Sequence, residues 1–211
     1  MRIAILIFDE LTALDAVGPY EVLSRLPNSE LSFVAKEPGP KRTDTGALSL
    51  VADLPISDLP DPDVVLVPGG QGNRPLMEDQ EVLDWLRTAH ASTTWTTSVC
   101  TGALVLGAAG ILEGKRATTH WVYREALRDF GAEPVVARFV EDGKVITAAG
   151  VAAGIDMALH LAARDVGDEF AQAVQLGIEY DPQPPFDTGS PEKAPPELVE
   201  VVRSVEQSAD A

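Results

Sequence analysis

The segment Ile3-Ala4-Ile5-Leu6-Ile7-Phe8 is apolar at every position. A strand with one wet face alternates polar and apolar residues. A run without alternation reads as a strand buried on both faces, as in parallel sheets covered by helices. The pattern recurs at Val64-Val65-Leu66-Val67, which stops at Pro68-Gly69-Gly70. Further strand-like runs fall at residues 31–35, 93–97, 135–139 and 145–147, and residues 48–51 read as half of a hairpin. Between these runs lie helical stretches at residues 12–26 (interrupted by Gly18-Pro19), 81–88, 102–109, 122–130 (ended by Gly131), 152–163 and 169–176. Strands alternating with helices predict an α/β fold with a mostly parallel sheet covered on both faces.

Composition narrows the function. With 45% hydrophobic residues in 211, the chain can bury a sizeable core, and disorder is excluded for its bulk. A formal net charge of -17 repels phosphate backbones and anionic lipid, so neither nucleic acid nor membrane is expected as a partner. No stretch reaches the roughly 18 apolar residues of a membrane span. Asp9 and Glu10 cut the first apolar run too short for a signal peptide. One cysteine forms neither an internal disulfide nor a cysteine-based zinc site, and His90, His120 and His160 show no ligand spacing. The expectation is a cytoplasmic protein without metal.

Residues 1–179 read as one α/β domain, and residues 180–211 change character. Pro182, Pro184, Pro185, Pro191, Pro195 and Pro196 make the segment extended and irregular. Leu198, Val201, Val202 and Val205 then follow at the spacing of an amphipathic helix. This arm and helix are expected to dock on the same domain or on a partner subunit.

Cys100 is the first candidate for chemistry. A lone cysteine is commonly a small buried hydrophobe. This one lies between a strand and a Gly-opened helix, the layout of a nucleophile elbow, at the sheet edge where open α/β folds place their sites. The helix N-terminus should favour its thiolate. Asp15 sits among apolar neighbours, so desolvation should raise its pKa toward that of a proton donor, and thiolate with protonated Asp15 is the expected pairing. His120 reads equally as a ring packed beside Trp121 or as a participant. Backbone N–H groups at Gly70 and Thr101 are placed to stabilise developing negative charge.

Taken together, Ile5-Leu6-Ile7-Phe8-Asp9, Asp15-Ala16-Val17-Gly18-Pro19, Val67-Pro68-Gly69-Gly70, Ser98-Val99-Cys100-Thr101-Gly102 and Arg116-Ala117-Thr118-Thr119-His120-Trp121 resemble the ThiJ/PfpI (DJ-1-like) superfamily over nearly the whole chain. Within it the chain is similar to the isocyanide hydratases: Asp15 stands where other members carry Glu, Thr101 follows the cysteine, and the tail residues 178–191 match. The resemblance implies a flavodoxin-like three-layer sandwich of the class I glutamine amidotransferase-like kind, a homodimer, and no cofactor. It implies a lyase that hydrates an isocyanide, R–NC, to a formamide through a thioimidate. Cys100 would be the nucleophile and Asp15 the general acid/base, with Gly70, Thr101 and His120 lining the pocket. Thr101 occupies the position where peptidase and glyoxalase relatives carry His, which argues against those activities. Relatives that regulate transcription add a DNA-binding module, for which the acidic, Pro-rich tail leaves no room. A different class of function also stands: a non-catalytic or redox-sensing protein with a reactive Cys100.

Overall fold

The computed structural model describes residues 1–208. Its seven-stranded sheet has the order β10-β11-β7-β6-β1-β2-β5. The strands are β1 (Arg2–Leu6), β2 (Glu30–Ala35), β5 (Leu54–Pro55), β6 (Val64–Val67), β7 (Trp95–Ser98), β10 (Phe139–Asp142) and β11 (Val145–Ala148). All pairings are parallel except β10 with β11 at one edge. Two small ribbons lie outside the sheet. In one, β3 (Gly39–Arg42) pairs antiparallel with β4 (Ser49–Ala52); in the other, β8 (Arg116–Ala117) pairs with β9 (Glu133–Pro134). The fully buried central strands explain the unalternating runs: β6 is buried at every position, and so is β1 after Arg2.

Helices α1 (Ala13–Leu23), α5 (Ala153–Val166) and α6 (Asp168–Gly177) pack on one another, and α2 (Asn73–Glu78), α3 (Gln80–Ser92) and α4 (Gly102–Ala108) form a second group. Strand direction explains the grouping. From β1 the chain crosses through α1 to β2, whereas from β6 it crosses through α2 and α3 to β7 on the other side. Right-handed crossovers in opposite directions place their helices on opposite faces. The result is the expected flavodoxin-like three-layer sandwich. The reversal lies between β1 and β6, and a crevice opens there at the carboxyl ends of the strands.

Several elements differ from the sequence reading. Helix α1 runs through Gly18-Pro19, and a Cβ on Gly18 would lie 3.0 Å from Ile155 Cγ1, so glycine here serves the α1–α5 contact. Residues Trp121–Phe130 form 3-10 turns instead of an α-helix, closed by Gly131 at φ 72°. The strand expected at residues 135–139 begins only at Phe139, because Val135 N–H instead bonds Ala117 O at 2.8 Å and extends the small ribbon. Helix α7 (Pro196–Ser208) closes the described chain, and Leu198, Val201, Val202 and Val205 on it are 41–60% exposed.

Gly102 sets how closely α4 approaches the sheet. A Cβ there would lie 2.1 Å from Val67 O, a backbone atom of the central strand. Gly102→Ala should therefore destabilise the fold by about 3 kcal/mol, the upper end for overpacking. Gly177→Ala, with nothing within 4 Å of the new methyl, should be nearly neutral in the same urea-unfolding comparison.

Candidate functional site

Cys100 ends the turn after β7 and has φ 55°, a left-handed backbone that non-glycine residues rarely adopt. Two hydrogen bonds hold it there: its N–H donates to Ala149 O at 2.8 Å, and Thr119 Oγ1 donates to its carbonyl at 2.6 Å. It is a strained strand-to-helix turn. Cys100 is 7% exposed and lines a cavity of about 260 Å³ with Gly70, Asn73, Thr101, His120 and Tyr123.

Asp15 reaches the same place from α1 and is completely buried. Gly69 N–H donates to its Oδ2 at 2.8 Å. Burial is the main influence on this carboxyl and pushes its pKa up to about 7; the Gly69 N–H works against it, and the charge of Asp44 adds to the rise. The Cys100 thiol also favours the Asp15 anion. That contact is a loose one, since Asp15 Oδ1 has no hydrogen-bond partner of regular geometry.

Burial likewise pushes the Cys100 thiol well above its ordinary pKa, and the Asp15 charge pushes it further. The N–H and side chain of Thr101 favour the thiolate but are outweighed. Burial of the sulfur thus works against the thiolate that the N-terminus of the short helix α4 would favour.

The glycine turn also needs correcting. Gly70 and Thr101 do line the cavity, but Gly70 N–H is committed to Thr101 Oγ1 at 3.1 Å, as Gly69 N–H is to Asp15. Thr101 N–H is the one that serves the sulfur. The turn thus holds Asp15 and Thr101 in place through Gly69 N–H and Gly70 N–H. Its glycines are required sterically: a Cβ on Gly69 would lie 2.7 Å from Thr101 N and 2.8 Å from Asp15 Oδ2.

His120 lines this cavity and a neighbouring one of about 470 Å³. Burial, and to a lesser extent the charge of Arg124, lowers its pKa, so it is neutral at physiological pH. Its ring packs 5.8 Å from Trp121 and 6.2 Å from Tyr123. His90 and His160 are engaged elsewhere, with Thr96 and Glu141.

The tail reaches the site as well. Tyr123 Oη donates to Glu206 O at 3.2 Å, Arg203 lies over the Trp121 ring at 5.5 Å, and Glu206 borders the Cys100 cavity. Asn73 and Asp44 also line it and were missed by the sequence reading, because an Asn near a helix start and an Asp in a loop look like ordinary cap and turn residues. Among the described residues no three His, Cys, Asp or Glu side chains are grouped to hold a metal, and no helix is long and apolar enough to cross a membrane.

The DJ-1/PfpI family model matches residues 1–164. The chain belongs to this family. It is 49% identical over 203 residues to isonitrile hydratase of Pseudomonas putida, spanning 96% of this chain and 89% of that protein. A ThiJ/PfpI family protein from Pseudomonas syringae superposes with a TM-score of 0.95 at 38% identity, covering 98% of this chain and 86% of the other. The HTH-type transcriptional regulator CdhR of Pseudomonas aeruginosa is 31% identical over 179 residues, 82% of this chain but 52% of the regulator.

The raised Asp15 pKa has a measurable consequence. In the unfolded chain the carboxyl returns to its ordinary value of 3.8. Between about pH 4 and 7 the folded state then holds a proton that the unfolded state has lost, so this group's contribution to stability declines as pH rises through that window. Asp15→Asn removes the dependence and keeps an acceptor for Gly69 N–H. Its Tm relative to the parent should climb from pH 5 to pH 8, by about 2–4 °C for each kcal/mol relieved. Parallel Tm curves for the two proteins would show that Asp15 does not titrate in this range.

Proposed function

We propose that this protein adds water to an isocyanide, R–NC, and releases the N-substituted formamide. The identity of 49% across 96% of the chain to an isonitrile hydratase carries this reading. The site supports it with a nucleophile and a proton carrier buried side by side. The terminal carbon of an isocyanide is electrophilic toward a soft sulfur. As Cys100 Sγ bonds to that carbon, Asp15 takes the thiol proton, and one carbon–nitrogen π pair moves to nitrogen as a lone pair while the carbon keeps the lone pair it already carried. Asp15 returns the proton to this carbon, giving the thioimidate R–N=CH–S–Cys100. Water then adds to the same carbon, and Asp15 takes its proton and passes it to the nitrogen. Collapse of the tetrahedral adduct breaks the C–S bond, returns a proton to sulfur and frees R–NH–CHO.

A carboxyl with a pKa of about 7 suits this shuttle, because it is part ionised and part protonated near neutrality. Neutral His120 fits a role as pocket wall. Burial, which covers the Cys100 sulfur and pushes its pKa up, disfavours the redox-sensing alternative, since oxidation proceeds through an accessible thiolate.

With a simple alkyl isocyanide the parent should form many formamide molecules per chain, while Cys100→Ala forms none. Asp15→Asn should lose about 10²–10⁴-fold in kcat, the usual contribution of a general acid–base. Absence of multiple turnover in the parent would remove the reading, and near-parental turnover in Asp15→Asn would remove the role of Asp15.

We further propose a homodimer in which α7 contributes to the contact, since Leu198 and Val201 expose an apolar face on it at 50% and 57%. In light scattering the parent should have twice the chain mass, and a Leu198→Asp/Val201→Asp variant should shift toward monomer. A monomeric parent contradicts the proposal.

A further inference from the structure

Asn73 opens α2 at 3% exposure, and no step of the proposed hydration uses it. Its Nδ2 donates to Thr101 Oγ1 at 2.8 Å, and Gly70 N–H donates to the same oxygen at 3.1 Å. A hydroxyl carries two lone pairs and one proton. With both lone pairs occupied, Thr101 can only donate.

We infer that Asn73 is a positioning residue: with Gly70 N–H it saturates the Thr101 oxygen and so directs the Thr101 hydroxyl proton to Cys100 Sγ. The surroundings of the sulfur agree. Thr101 and Cys100 are neighbours that line one cavity, and the Thr101 side chain, with its N–H, favours the thiolate against burial and the charges of Asp15 and Glu206, which favour the thiol. If Asn73 presented its carbonyl instead, Thr101 would donate to it and the sulfur would lose this donor. Asn73 Oδ1 is itself buried with no partner. A buried amide left half-satisfied carries a cost that packing alone does not explain. Resting on the hydration reading, the same donor would also serve the last step, when sulfur departs from the tetrahedral adduct with the bonding pair.

Cys100 is the chain's one cysteine, so alkylation by iodoacetamide reports on this thiol alone, without any isocyanide. The rate is followed against pH in the parent, Asn73→Ala, Thr101→Val and the double variant, with circular dichroism checking the fold. Thr101→Val should raise the midpoint by about one to two pH units, the loss expected for a hydrogen bond to a charged group. Asn73→Ala, which frees the hydroxyl to turn, should raise it by about half to one unit. The double variant should shift no further than Thr101→Val, because Asn73 acts through that hydroxyl. An unchanged midpoint in Asn73→Ala overturns the inference, and so does an Asn73→Ala shift of equal size in both backgrounds. Should Asn73→Ala not fold, Thr101→Val decides: an unmoved midpoint there overturns the inference, and a raised one supports it. Failure of the hydration reading would show separately, as a parent that alkylates normally but does not turn over isocyanide.

Discussion

Burying a carboxyl beside a thiol is unfavourable, and the site is arranged around that cost. Asp15 is inaccessible to water and Cys100 nearly so. Neither group ionises readily there, and the Asp15 charge further opposes ionisation of Cys100. Backbone donors make the arrangement tenable: Gly69 N–H holds one carboxylate oxygen, and Thr101 N–H serves the sulfur. Because both acids are pushed upward, the proton that the proposed hydration passes between them would not have to leave the pocket. In a solvated pair that proton would exchange with water. In the proposed reaction a proton taken by Asp15 from sulfur would remain within reach of the carbon that sulfur attacks.

That arrangement depends on the topology. Asp15 follows β1, the Gly69-Gly70 turn follows β6, and Cys100 follows β7, three neighbouring parallel strands whose carboxyl ends share one edge. The strand order reverses between β1 and β6, so α1 and α4 diverge to opposite faces and leave the crevice open. Close backbone approach is what brings the parts into contact. Glycine at positions 69 and 102 allows Thr101 to lie against the end of β6; side chains there would meet backbone atoms at 2.7 Å and 2.1 Å. The positive φ of Cys100 follows, since the chain must turn sharply to leave β7 and enter α4.

Much of this was legible in the sequence for physical reasons. Strands buried on both faces leave unalternating runs, so β1 and β6 stood out, and Gly102 marked the start of α4. Residues 135–139 were misread because Val135 and Val136 favour strands, while their pairing goes to the small ribbon and Val136 stays 68% exposed. The 3-10 run at Trp121–Phe130 carries the apolar spacing of a helix, and spacing alone does not separate the two. Asn73 was invisible for a different reason. Its importance lies in a contact with Thr101 across 28 positions, and nothing in its neighbours signals that contact. The same holds for the destination of the Gly70 N–H: a glycine turn suggests free donors, and only the fold shows that Thr101 already occupies this one.

The tail extends the same logic outward. The acidic, proline-rich arm leads to a helix that returns to the mouth of the cavity, where Tyr123 and Trp121 hold Glu206 and Arg203. Glu206 brings negative charge to the edge of a pocket whose two central groups are already reluctant to ionise, and it adds to the rise in the Cys100 pKa. Asp44 lines the same cavity, and so does Arg74. The wall of the pocket therefore sets charges of both signs around a cysteine whose ionisation burial already opposes.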